Sequence, residues 1–222
     1  MSKPAAVIFD LDGVLIDTVE AHFAGWAAVA QELRRPFTRE DNDRLRGVPR
    51  KAALTWLAGD YAPLAREKEE QLLNLKARVY REHVELAPDS IKIEGVNGLL
   101  SGLREHGILL GLASASQHAL MLLDMIGLTG FFNATSDGNF TGRLKPHPEQ
   151  LLHVAARLKV SPASCVVVED SDAGLEAARQ AGMGDIAIGN ACKWEGATAR
   201  LPSLAGVSAK EFLERVGSLT RA

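Results

Sequence analysis

The sequence predicts an α/β fold: a doubly wound parallel sheet of Rossmann-like type, with a small α-helical domain inserted into it. Three observations point there. Short apolar runs recur at 5–10 (AAVIFD), 108–113 (ILLGLA), 164–168 (SCVVV) and 185–188 (DIAI), with the length and unbroken hydrophobicity of strands buried on both faces. Helical patterns separate the last three runs, an alternation that builds parallel sheets. The segment 19–87 contains helical spacing and no convincing strand.

Taken in order, AAVIFD is the first strand, and it is stopped by acidic residues and Gly13, which supplies the turn freedom to leave the sheet. The chain then enters the helical segment, where Leu64, Leu72, Leu75 and Val79 share a helix face and charge runs such as REKEE at 66–70 read as solvated faces. The sheet resumes before 98, so the expected domains are 1–18 with 88–222 for the sheet domain and 19–87 for the helical one. Later helices are expected at 117–126, at 148–159 entered through Pro148, and at 172–182 closed by Gly182.

With 222 residues, 46% of them hydrophobic, the chain can bury one sizeable core with a small extra domain. A formal charge of −3 provides no basic field and argues against nucleic acid as a partner. No run is long enough for a signal peptide or a membrane span, so the expectation is a cytoplasmic protein with no membrane partner. Cys165 and Cys192 lack metal-ligand spacing and read as buried or incidental thiols.

The chemistry gathers at strand ends. In VIFDLDGVLIDT (7–18), Asp10 and Asp12 lie two apart, where extended geometry points both into the crevice beyond the strand's carboxyl end. Two carboxylates about 4 Å apart repel by roughly 4 kcal/mol at an effective dielectric of 20, a cost that a cation or a shifted pKa must answer. Glu169-Asp170 follows the strand SCVVV, and four carboxylates converging from two strands make a hard-oxygen site suited to Mg²⁺. Lys145, in RLKPHPE, precedes a helix start, and Ser114-Ala115-Ser116 follows ILLGLA, offering a hydroxyl and backbone N–H groups to a phosphate. Each feature alone has a plainer explanation: solvated turn acids, an N-cap at Ser171 or Asp172, a surface lysine. Their joint placement at strand ends and helix starts favours a common site.

FDLDGVLIDT, LASAS, LKPHPE and VVVEDSDAGLEAARQAGM together resemble the four motifs of the haloacid dehalogenase superfamily, spread from residue 9 to 183. The resemblance implies Asp10 as the nucleophile that forms an aspartyl-phosphate and Asp12 as general acid/base. It implies Ser114, Ala115 and Lys145 as phosphate-binding residues. It also implies Mg²⁺ held by Asp10, the Asp12 backbone carbonyl, Glu169 and Asp170.

Within that superfamily the helical segment is similar to the cap of β-phosphoglucomutases and their sugar-phosphate phosphatase relatives. DTVEAHFAGW (17–26) resembles the exit into the cap, which implies Thr18 at the hinge and His22 and Trp26 near a sugar. LRGVPR (45–50) resembles the specificity loop, implying substrate contacts from Arg46, Gly47 and Arg50, with Arg50 on the phosphate distal to the reaction. Lys76 and Tyr80 match residues of a later cap helix. A cap closing on its hinge would exclude water and let a sugar hydroxyl attack instead.

Departures accompany the match. Ala53 and Ala77 stand where the mutase pattern has serine and asparagine, Arg46 replaces lysine, and Gln117-His118 replaces a lysine-asparagine pair. By default His22 is a packed histidine, Arg50 a solvated helix-start residue and Lys76 an ordinary amphipathic-helix lysine. The expected partner is a small sugar phosphate and the expected state a monomer. The expected activity is a β-phosphoglucomutase interconverting β-glucose 1-phosphate and glucose 6-phosphate. A phosphatase for small sugar or polyol phosphates is the alternative, and a non-catalytic binding protein on the same fold is disfavoured.

Overall fold

A computed structural model describes residues 3–46, 48–86, 88–189 and 196–216, and the chain divides into two compact units, 1–17 with 92–222 and 18–91. The first unit carries β1 (Ala6–Phe9), β2 (Leu109–Ala113), β3 (Ala134–Ser136), β4 (Cys165–Glu169), β5 (Gly184–Ile188) and β6 (Ala199–Leu201). They form one sheet in the order β3-β2-β1-β4-β5-β6, with every pairing parallel. The four apolar runs of the sequence are β1, β2, β4 and β5. The short strands β3 (ATS) and β6 (ARL) have no apolar run to announce them; they are completed by pairing at the sheet edges.

The helices, in chain order, are α1 (Val19–Glu32), α2 (Arg39–Arg44), α3 (Arg50–Ala58), α4 (Arg66–Glu85) and α5 (Pro88–Ile91) in the second unit. Those of the first unit are α6 (Val96–Glu105), α7 (Ala119–Met125), α8 (Glu149–Leu158), α9 (Asp172–Gln180) and α10 (Ala209–Val216). Alternation along the strands sends neighbouring side chains to opposite faces of the sheet. Ala6, Ile8 and Val167 meet Leu151, Val154 and Leu158 of α8 and Ala177 and Ala178 of α9. On β1 the ring of Phe9 instead stacks on Phe212 of α10 at a centroid distance of 6.3 Å. Helices therefore cover both faces, as a doubly wound sheet requires.

The chain that leaves β1 is pinned to the chain that returns. Ile16 bridges Lys92 antiparallel, and the Ile93 N–H donates to the Leu15 carbonyl at 3.0 Å. The second unit has its own core, with Trp26, Val29 and Leu33 of α1, Ala53, Leu54 and Leu57 of α3 and Leu72 and Leu73 of α4 packed together. Thr38 starts α2 through a reciprocal capping box with Asp41. Among the described residues no helix is long and apolar enough to cross a membrane. Cys165 is buried on β4, where burial pushes its thiol up to about 11; Cys192 and Trp194 lie outside the described residues.

Phe212 is fully buried and its ring joins α10 to the central strand. Phe212→Ala is expected to lower unfolding free energy by about 3–5 kcal/mol, read as a lower midpoint in urea denaturation.

Candidate active site

Parallel strands in the order 3-2-1-4-5-6 leave a crevice beyond their carboxyl ends, at the point where the order reverses. That point lies between β1 and β4. Phe9 pairs with Leu112 on one side and Val168 on the other, so the residue after Phe9, Asp10, emerges beside Ala113 and Glu169. The Asp10 N–H donates to the Val168 carbonyl at 2.9 Å, continuing the ladder to the last residue before the loop.

Lys145 reaches into this crevice from the segment before α8. Its Nζ donates to Asp10 Oδ1 and Glu169 Oε2, each at 2.6 Å, and to the Ala113 carbonyl at 2.7 Å. All three ionisable side chains are buried. Burial alone lowers a lysine's pKa, but the Asp10 and Glu169 carboxylates outweigh it and hold Lys145 above its ordinary value. Asp10 is pushed up to about 7, first by burial and then by the Glu169 charge; Lys145 opposes the rise and Asp12 adds to it. Burial, with the Glu169 and Asp12 charges, thus outweighs the ammonium beside Asp10.

Oxygens of Asp10, Glu169 and Asp170 lie within 4.8 Å of one another. An all-carboxylate set of this size fits a hard divalent cation. The Asp12 carboxylate is not one of the three, although it is near enough to raise Asp10. Glu169 is further held by its own turn: Oε1 accepts from the Asp170 N–H at 3.2 Å, the Ser171 N–H at 3.1 Å and the Ser171 hydroxyl at 2.8 Å. Ser171 is also the N-cap of α9, accepting from the Gly174 N–H at 3.1 Å.

Two glycines make room for the acids. Gly13 has φ +79°, and a Cβ there would sit 2.0 Å from Asp170 Oδ2; at Gly174 a Cβ would sit 2.0 Å from the Glu169 carboxyl carbon. Gly13 was legible as a turn residue. The need for Gly174 was not, because it depends on a carboxylate folding back over the first turn of α9.

Ser114 ends the next strand over, buried, with its N–H on the Ser136 carbonyl at 3.0 Å and its Oγ accepting from the Ser116 N–H at 3.0 Å. Ala115 follows it in the turn before α7. The structure thus brings Asp10, Lys145, Glu169 and Asp170 together, with Ser114 and Ala115 directly after Ala113, whose carbonyl Lys145 holds. Gln150 of α8 is a polar residue at this end of the sheet that the motifs did not single out. Its signal was a glutamine on the same buried stripe as Leu151, Val154 and Leu158.

The second unit holds the other residues singled out. Thr18 is the N-cap of α1, its carbonyl accepting from the His22 N–H at 2.9 Å. Lys76 Nζ lies 3.1 Å from His22 Nδ1, 4.4 Å from the Tyr80 ring centroid and 5.6 Å from that of Trp26. Trp26 itself is packed in that unit's apolar core. Arg46 is paired with Asp43 at 3.2 Å, Arg50 is exposed at the start of α3, and Gly47 lies outside the described residues. Ala53 is buried in the apolar cluster.

The sequence profile of the haloacid dehalogenase-like hydrolases matches residues 4–182. The chain is 36% identical over 188 residues to beta-phosphoglucomutase of Bacillus subtilis, covering 83% of each chain. It is 36% identical over 181 residues to the phosphorylated carbohydrates phosphatase of Thermotoga maritima, covering 80% of this chain and 82% of that one. The crystal structure of beta-phosphoglucomutase from Clostridium difficile superposes with a TM-score of 0.88 at 26% identity, covering 97% of this chain and 98% of that one. Its sheet, its acidic cluster and these similarities make the chain a member of the haloacid dehalogenase-like family, a phosphoryl-transfer enzyme of the phosphatase or phosphomutase type.

Proposed function

We propose that the protein is a Mg²⁺-dependent sugar phosphomutase that interconverts β-glucose 1-phosphate and glucose 6-phosphate through an aspartyl-phosphate. The observation that carries the mutase reading is the helical unit's set of His22, Trp26, Lys76 and Tyr80, a cation lying over two aromatic faces beside an imidazole. Trp26 and Tyr80 are buried and hold the ammonium in place, and the half-buried Lys76 and His22 suit the hydroxyls and phosphate of a sugar. The similarity to the Bacillus subtilis and Clostridium difficile mutases supports the same reading.

Asp10, Glu169 and Asp170, with the Asp12 carbonyl, would hold Mg²⁺, which supplies charge neutralisation for the phosphoryl group. Asp10 attacks phosphorus while the bond to the sugar oxygen breaks, and Asp12 gives that oxygen its proton. The aspartyl-phosphate, loaded in this way from the bisphosphate, is attacked by the 6-hydroxyl of β-glucose 1-phosphate, which gives its proton to Asp12 and forms the bisphosphate; attack of Asp10 on its 1-phosphate then releases glucose 6-phosphate and restores the aspartyl-phosphate. Lys145 binds Asp10 and the phosphoryl oxygens, and Ser114 with the Ala115 N–H holds the equatorial oxygens. Arg50 takes the distal phosphate.

A second reading has its own support. A phosphatase would run the same first step and admit water in the second. Ala53 and Ala77 offer no hydroxyl or amide where the mutase pattern has one, and the Thermotoga maritima relative is a phosphatase of phosphorylated carbohydrates.

Incubation with β-glucose 1-phosphate, Mg²⁺ and a trace of β-glucose 1,6-bisphosphate, with glucose 6-phosphate and free phosphate followed separately, tests the choice. Glucose 6-phosphate with little free phosphate is expected; dominant phosphate release selects the phosphatase. Asp10→Asn is expected to lose at least about 10³-fold in turnover. Without divalent cations the same variant should melt higher than wild type in calorimetry, because it removes one of the crowded charges while keeping an oxygen for Lys145. Arg50→Ala is expected to cut mutase turnover by more than about tenfold while changing hydrolysis of a small phosphate ester far less, and steady-state assays on both substrates check the difference.

A further inference from the structure

Gln150 is fully buried, yet its Oε1 has no hydrogen-bond donor among the described residues. An orphaned acceptor in a core costs about 1–3 kcal/mol, a cost that the bonds made by the other end of the amide must offset at this place on α8. What the glutamine does provide is its amide. Nε2 donates to the Ser114 carbonyl at 2.9 Å, the Asp137 carbonyl at 3.1 Å and Ser136 Oγ at 3.3 Å, joining the end of β2 to the loop after β3.

The Ser114 carbonyl belongs to the same planar trans peptide as the Ala115 N–H, and the two point in opposite directions. Ser114 pairs through its own N–H with Ser136 of β3, and Gln150 holds the Ser114 carbonyl among β3-side groups. The Ala115 N–H is thereby turned away from β3, toward the side of β2 where β1 and Asp10 lie. It donates to no backbone carbonyl among the described residues. One residue earlier, the Ala113 carbonyl is held by Lys145. A single segment, 145–150, therefore grips consecutive carbonyls of β2. Two further contacts brace the turn: the Gly138 N–H on the Ser116 carbonyl at 2.9 Å, and Asn139 Nδ2 on the Gln117 carbonyl at 3.4 Å.

We infer that Gln150 is a positioning residue for phosphoryl binding, which aims the Ala115 N–H at the transferring group by fixing the Ser114 carbonyl. The inference rests on the phosphoryl-transfer reading of this site. It predicts a selective defect: Gln150 touches the phosphate-binding turn and none of the acids.

The test titrates inorganic phosphate, with Mg²⁺ present, into wild type, Gln150→Met and Gln150→Glu, following the Ala115 amide by ¹H–¹⁵N NMR. Met keeps the volume without a polar group, and Glu keeps the shape but has no N–H to give. Wild type is expected to show a saturable downfield shift at Ala115. The Met variant should bind phosphate at least about fivefold more weakly, in line with one lost hydrogen bond to a pinned group, with Mg²⁺ affinity by calorimetry within about twofold of wild type. The Glu variant, if folded, should be weaker still. A Met variant less than fivefold weaker overturns the inference, as does one that loses Mg²⁺ and phosphate affinity together, since that is general loosening. Wild type without a saturable Ala115 shift removes the phosphoryl reading of the turn itself, an outcome distinct from both.

Discussion

The Lys145 ammonium, shared between Asp10 and Glu169 at 2.6 Å each, is the interaction on which the rest of the site depends. The carboxyl ends of β1 and β4 are adjacent, so two acids placed there are forced together as soon as the sheet forms. Removing the Lys145 ammonium from this buried set costs about 3–5 kcal/mol, because two carboxylates are then left without an answer. Lys145 opposes, without cancelling, the rise that burial and then the Glu169 charge impose on Asp10. The three carboxylates together suit a hard divalent cation.

Around that centre the chain removes bulk and adds restraint. Gly13 and Gly174 stand where any side chain would strike Asp170 or Glu169. Ser171 both starts α9 and fastens Glu169 Oε1, so one hydroxyl caps the helix and orients the acid. Gln150 does the equivalent for the Ser114 turn. These are ordinary cap and packing devices, and each bears on an atom of the candidate site.

The helical unit adds a different chemistry. Lys76 lies against His22, Tyr80 and Trp26, from two helices whose packing also builds that unit's core. Trp26 belongs to that core and its ring centroid lies 5.6 Å from the Lys76 ammonium. Ala53, where the mutase pattern has a serine, is absorbed into the apolar cluster, so packing alone accounts for its small size. Relatives with the same sheet are named as mutases and as phosphatases.

The sequence by itself determined the sheet's central strands and the chemistry at their ends. AAVIFD and SCVVV are too apolar to be anything but buried, and the acids that follow each run must then emerge at one edge. Lys145 and Ser114 were legible from their motifs, but a motif does not state a distance. Only the tertiary structure decided that Lys145 bonds Asp10, Glu169 and the Ala113 carbonyl at once, that Asp12 stands outside the three-carboxylate cluster, and that the edge strands β3 and β6 exist. It also decided the part played by Gln150 and Gly174, whose meaning lies in what they face. Local pattern records whether a residue is buried. Which atom it meets there is set by the pairing of strands far apart in the chain.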